Sequence, residues 1–184
     1  GLIPDGEFEV VTTMLRSGRT IELVQAELVS GGRTAVRATA WRLQLSDTSA
    51  IEGIEDEPMS GPPESGAVAT LGEWPGEYIH SIDIRTLPGH APGHGRAWIR
   101  PRHPLVSPGP FSDLARLIGV ADTSNGVAVR VEPGPGGYAF PNVDLQLHLY
   151  REPHGEWLGL QNSVTFGSDG IGLTSTVLCD LSGP

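Results

Sequence analysis

Lysine is absent from these 184 residues, and all 12 basic side chains are arginine. Cysteine occurs once, at Cys179, which excludes an internal disulfide framework and any cysteine-built zinc cluster. No apolar run approaches the ~20 residues that a membrane-crossing helix needs. No signal-peptide pattern opens the chain, so the expected setting is a reducing cytoplasm without a membrane span. Basic residues are outnumbered by 22 acidic ones, for a formal charge of −10. That balance excludes the broad basic face that non-specific nucleic-acid binding requires. P-loop, H-E-x-x-H and G-x-S-x-G signatures are all missing, and the glycines at 134, 136 and 137 lack dinucleotide spacing. His90 and His94 are separated by Ala-Pro-Gly, which suits a solvated loop rather than a metal site. Neither a metal nor a cofactor is expected.

What is present is glycine and proline, 25 and 16 residues, hence many turns and many strands. Residues 1–46 read as a strand meander: Glu7–Arg16, Arg19–Ser30 and Thr34–Leu45, with Gly31-Gly32 as a hairpin signal. Both faces of this meander are partly apolar, and no helix is available within it to cover them. Residues 47–76 hold Ser, Pro, Gly and acids without apolar periodicity, and read as a loop or linker. Strands resume at Glu77–Thr86 and Arg96–Arg102. One segment, Phe111–Asn125, is helical, with Leu114, Leu117, Ile118 and Ala121 at helical spacing and Gly126 as a stop. Asp122 and Asn125 at its end read first as capping groups, and second as groups that support a nearby site from behind. Three strands follow, Phe140–Tyr150, Trp157–Phe166 and Ile171–Leu181, the last two joined by the turn Gly167-Ser168-Asp169-Gly170. One helix and a run of antiparallel strands describe an α+β unit in which a sheet wraps a helix.

Alternation along Phe140–Tyr150 puts Val143, Leu145, Leu147 and Leu149 on one face, and Asn142, Asp144, Gln146 and His148 on the other. This pattern fits a half-buried strand with a wet outer face. It also fits a strand whose carboxylate, Asp144, pairs with a hydroxyl on the next strand, Thr165, to hold one water against an electrophilic carbonyl.

The segments LARLIGVADTSNG, NVDLQLHLYREPHGEWLGLQNSVT, the turn SDG and the strand GLTSTVLCD together resemble type II acyl-CoA thioesterases, which are double-hotdog proteins. The similarity runs from about Tyr78 to the end, and more loosely over the meander ending in RATAWRL. It implies a double hotdog, with 1–46 part of the first and 77–184 the second, lacking its last strand. It further implies hydrolysis of fatty acyl-CoA to free acid and CoA, with Asp144 and Thr165 in the catalytic positions and Ser163 as the alternative hydroxyl. A third group, a glutamine, would lie beyond Pro184, making this a partial chain. Asn125, Ser163 and Arg151 are the expected substrate-binding residues, and Arg96, Arg100, Arg102 and Arg151 the candidate cations for CoA phosphates. A tunnel lined by Leu117, Val143 and Leu145 would take the acyl chain, and a homo-oligomer is expected. Two other readings stay open: a non-catalytic acyl-CoA or lipid-binding hotdog, and a hotdog enoyl-CoA hydratase, whose usual Gly-Asp-x-Asn-Pro run is not found here. Cys179 alternates with Leu178 in an apolar strand and reads as core.

Overall fold

The computed structural model describes residues 3, 6–69, 77–107, 109, 111–131 and 141–184. The chain forms two compact units, Gly1–Gly53 and Ile54–Pro184. The second unit therefore begins inside the stretch read as linker.

The first unit is a three-stranded antiparallel meander, β1 (Glu9–Arg16), β2 (Ile21–Ser30) and β3 (Arg33–Leu43). Gly31 and Gly32 turn β2 into β3 at φ of 56° and 74°, a left-handed pair that L side chains resist. Register puts Val10, Met14, Val24, Ala26, Leu28, Val36, Ala38 and Ala40 on one face of this sheet. On the other face Arg37 pairs with Glu27 at 2.8 Å.

The second unit is a five-stranded antiparallel sheet in the order β4-β5-β6-β7-β8. Its strands are β4 (Ala67–Val68), β5 (Ile82–Thr86), β6 (His94–Pro101), β7 (Leu158–Phe166) and β8 (Gly172–Cys179). The expected strand start at Glu77 is instead a turn of 3-10 helix, Glu77–Ser81. Period-two alternation places Ile82, Ile84, Ala97, Ile99, Leu158 and Leu160 on one face, where cross-strand pairing sets Ile84 against Ile99 and Ala97 against Leu160. Helix α1 (Asp113–Ala121) covers this face through Leu117 and Val120. Ser112 caps it, accepting the Ala115 N–H at 3.1 Å.

The helix departs from expectation in its facing. Leu117, Val120 and Ala121 are buried, whereas Leu114 and Ile118 are 40% and 47% exposed. The buried stripe runs 117, 120, 121 and 124, so the i, i+4 pair 114 and 118 falls on the neighbouring, outward face. After Asp122 the helix breaks and resumes as one short turn, α2 (Ser124–Val127), which carries Gly126 inside it rather than after a stop.

The strand expected over Phe140–Tyr150 does not form: residues 141–149 have no regular structure, and residue 140 lies outside the described set. Consecutive residues of β8 and its end, Thr174 to Asp180, line one wall of a groove, and Gln146 to Arg151 line the other. The two backbones thus face each other across open space instead of pairing. Alternation alone makes no strand, because a ladder needs a second backbone about 4.8 Å away.

The opposite face of the sheet carries a second cluster of Leu87, Trp98 and Cys179, with Met59 packed against it. Cys179 is 2% exposed and belongs to this core. Met59 sits in a strap, Glu57 to Gly61, tied to the sheet by three bonds. Gln161 Nε2 donates to the Glu57 carbonyl, Arg96 to Ser60 Oγ and Trp98 Nε1 to the Gly61 carbonyl. The loop expected over 47–76 is anchored to the sheet in this part. The missing periodicity reflected a segment held by its backbone carbonyls, to which hydrophobic spacing is blind. Residues 70–76 lie outside the described set.

Candidate functional site

Where α1 ends, three polar side chains form a hydrogen-bonded chain. Asn142 Nδ2 donates to Asp122 Oδ1 at 2.6 Å, and Asn125 Nδ2 donates to Asn142 Oδ1 at 3.1 Å. A carboxylate only accepts, so the contact with Asp122 fixes which way the Asn142 amide points. Asp122 is the C-cap residue of α1, where the helix dipole disfavours negative charge. A carboxylate in that position meets the unfavourable end of the helix dipole, and its bond to Asn142 links the helix end to the residues lining the groove.

The turn holding this chain is anchored from beneath. Asn162, 5% exposed on β7, donates to the Ser124 carbonyl, while its Oδ1 has no partner among the described residues. Tyr78 Oη donates to the Gly119 carbonyl at 2.6 Å. Burial, and then the nearby Asp122 charge, hold the Tyr78 phenol above its ordinary pKa, so it stays a neutral donor.

Asp122 and Asn125 lie between two cavities. One is a groove of about 460 Å³ running from Asn142 and Asp144 along Thr174 and Thr176. The other, of about 320 Å³, is lined by Ile84, Ala97, Val127 and Tyr78. The network therefore lies where a mixed groove, carrying Asp144 and Arg130 among apolar side chains, meets a mainly apolar cavity.

The residues expected from sequence distribute unevenly. Asp144 lines the groove, exposed, beside Asn142 and Asn125. Thr165 is exposed on β7 and points away from it. Leu158, Leu160, Asn162 and Val164 are the buried, helix-side residues of that strand, and Thr165 alternates with them. Ser163 shares the Thr165 face and lines a separate hollow with His94, Arg96 and Gln161. Asp144 and Thr165 are thus on different surfaces and are not brought together. The expected acyl tunnel also fails as drawn. Leu117 is core, Val143 is 96% exposed and Leu145 is 50% exposed.

Arg151 is a structural clamp rather than a free phosphate ligand. Its guanidinium donates to both Asp180 oxygens and to the carbonyls of Glu152, Gly183 and Pro184. Burial opposes ionisation of Asp180. Arg151 and the backbone N–H groups of His154 and Ser182 outweigh it and bring the pKa down to about 2. Arg100 and Arg102 are likewise committed, both to Asp83, and Arg96 to Ser60 and the Pro88 carbonyl. Among the described residues no His, Cys, Asp and Glu cluster could hold a metal ion, and no helix is long and apolar enough to cross a membrane.

Sequence reasoning left Asp122 as a cap and Asn142 as one polar residue among four. The available signal was the sign of the charge at the helix end.

The comparisons agree with this architecture. The chain is similar over its full described length to solved structures at low identity. One is the acyl-CoA thioesterase II TesB2 of Mycobacterium marinum, at 20% identity and a TM-score of 0.58, covering 95% of this chain and 68% of that one. A provisionally described thioesterase II of Thermobifida fusca gives 18% identity and a TM-score of 0.69 with the same coverage. A hot dog fold protein of unknown function from Alicyclobacillus acidocaldarius gives 17% and 0.64, covering 96% of this chain and 67% of that one. No curated protein matches the sequence. Family models for the acyl-CoA thioesterase N-terminal domain and C-terminal domain match residues 1–43 and 56–184. The chain belongs to the acyl-CoA thioesterase family.

Proposed function

We propose that this protein hydrolyses fatty acyl-CoA thioesters to the free acid and CoA, and that the Asp122–Asn142–Asn125 chain positions the attacking water. The single observation carrying this reading is the 2.6 Å bond from Asn142 to Asp122 between the two cavities. The second oxygen of Asp122 has no hydrogen bond among the described residues and is placed to accept a proton from water, and Asn142, held by Asn125, fixes where that oxygen points. Water attacks the thioester carbonyl as its proton passes to Asp122, and the resulting tetrahedral intermediate collapses by expelling the CoA thiolate. A thiolate leaves readily at neutral pH, since thiol pKa values lie near about 8.5. No covalent nucleophile is needed, which suits a site whose neighbouring cysteine, Cys179, is buried on the far face of the sheet.

The apolar cavity beside Ile84 and Val127 is the place for the acyl chain, and the groove carrying Asp144 and Arg130 for the thiol arm. Asp144, in the same groove, is a second carboxylate close to the reacting groups. The two family models, one for each domain, support reading 1–46 and 77–184 as portions of two hotdog halves. The groove beside β8, between the outer edge of that strand and residues 146–151, has the form that one further strand would fill.

The test is hydrolysis of octanoyl-CoA by the full-length protein and its Asp122→Asn variant. Loss of a water-activating carboxylate lowers kcat on the order of 10²-fold or more while substrate binding survives. Unchanged turnover removes Asp122 from the mechanism. Wild-type protein that binds octanoyl-CoA without turning it over supports a binding module instead.

A further inference from the structure

Five of the seven arginines of the second unit are already committed to other side chains. Arg96, Arg100, Arg102, Arg116 and Arg151 each bond a side chain and, in most cases, a backbone carbonyl as well. Arg130 differs. It lines the groove that also holds Asp122, Asn142 and Asp144. Its Nε donates to the Val164 carbonyl at 2.8 Å, which fixes the plane of the guanidinium against the end of β7. Its two terminal nitrogens have no acceptor among the described residues.

The seat is built rather than incidental. The guanidinium lies against Gly93, and a Cβ on that glycine would come within 2.8 Å of its carbon. Gly93 is itself tied to the same strand, its carbonyl accepting the Val164 N–H at 2.8 Å. Loop, strand and arginine are thus mutually positioned, with the N–H groups not used by Val164 left for a ligand. A planar guanidinium so held offers paired donors that match a phosphate or a carboxylate. On a chain of net charge −10, a local cation in a groove that also carries Asp122 and Asp144 favours the approach of an anionic substrate.

We propose that Arg130 is the anion-recognition residue of this site, gripping either a phosphate of the CoA moiety or a carboxylate at the far end of the acyl group. The assignment rests on the hydrolase reading only for the identity of the substrate, since the seat exists independently of the chemistry. Arg130 is a positioning residue and takes no part in bond making or breaking.

The experiment compares full-length wild type with Arg130→Gln and Arg130→Lys on three thioesters: octanoyl-CoA, octanoyl-pantetheine and succinyl-pantetheine. Calorimetric titrations of the non-hydrolysable thioethers of the same three compounds accompany the kinetics. The expected result for a phosphate is a KM and Kd raised about 10-fold or more for the CoA compound alone, with kcat unchanged, the scale of one charge-assisted bidentate contact. The expected result for a carboxylate is the same shift confined to the succinyl compound. Arg130→Lys, which keeps charge but loses the fork, falls between. A purely structural arginine would shift all three compounds together, and that outcome, or equal affinities throughout, overturns the proposal. Selective loss of thioether binding in a protein that hydrolyses nothing upholds Arg130 and overturns the hydrolase reading alone.

Discussion

Asn142 reaches Asp122 from the far side of the groove, and the 2.6 Å bond between them joins the end of α1 to a segment that is part of no sheet. Replacing Asn142 by Asp puts two carboxylates at hydrogen-bond distance, where one of them retains its proton to higher pH. The water-activating group must be ionised, so the acid limb of the kcat profile for octanoyl-CoA hydrolysis moves to higher pH. Asn142→Ala removes the positioning without the added charge, and lowers kcat while leaving that limb in place. A pH–rate series on the three proteins checks both outcomes, and superimposable profiles for wild type and Asn142→Asp exclude the contact from the mechanism.

The Arg151–Asp180 clamp predicts how stability depends on pH. The Asp180 side chain is almost fully buried and its pKa, about 2, lies below that of the unfolded chain, so its contribution is complete above the unfolded value and is lost as pH falls through the folded one. The window is roughly pH 4 down to pH 2, and the contribution lost is roughly 2 kcal/mol. Arg151→Met leaves a buried carboxylate without its partner and should cost about 3–5 kcal/mol at neutral pH. Urea unfolding at a series of pH values checks this. The variant should also lose much of the acid dependence between those limits, because Asp180 then titrates nearer its ordinary range.

Much of this fold is legible in the sequence, for identifiable reasons. The meander, the Gly31-Gly32 hairpin, β6 to β8 and the helix under Leu117 follow from local turn chemistry and from periodicity over several residues. The segment around Asp144 shows the limit. Its alternation is as regular as that of β7, yet a ladder depends on a partner backbone that lies elsewhere in the chain. The pairing of Asp144 with Thr165 rests on counting along two strands, and residues 141–149 form no strand. Asp122 and Asn142 are separated by 20 residues, and only the fold brings them together. The helix-end carboxylate is visible in the sequence, but its link to Asn142 is not.

Helix facing gives a graded stability test. Leu117 is 3% exposed while Leu114 and Ile118 are near half exposed. Leu117→Ala should cost about 2–5 kcal/mol, the range for a buried leucine that leaves a cavity. Leu114→Ala and Ile118→Ala should each cost about 1 kcal/mol or less, since little apolar area returns to water. Chemical denaturation of the three variants checks the order. A cost for Ile118→Ala equal to that for Leu117→Ala would mean that its face of α1 is covered in solution.

The strap at Glu57 to Gly61 rests on one small residue. A Cβ at Gly159 would lie 2.3 Å from Met59 Sδ, 3.0 Å from the Trp98 ring and 3.2 Å from Cys179 Cβ. The tryptophan and cysteine belong to the packed outer cluster and yield little, whereas methionine is unbranched and adaptable. Gly159→Ala should therefore displace Met59 first, at about 1–3 kcal/mol, the usual range for overpacking. Met59→Ala opens the space that the new methyl group needs. The double variant should consequently be less destabilised than the two single changes added together, with a coupling of about 0.5 kcal/mol or more. Trp98 fluorescence reports the event directly, because its Nε1 donates to the Gly61 carbonyl and the indole loses that bond when the strap lifts. Additive effects of the two substitutions, with an unchanged Trp98 spectrum, would show that Met59 does not lie over Gly159 and that the strap is held by its backbone bonds alone.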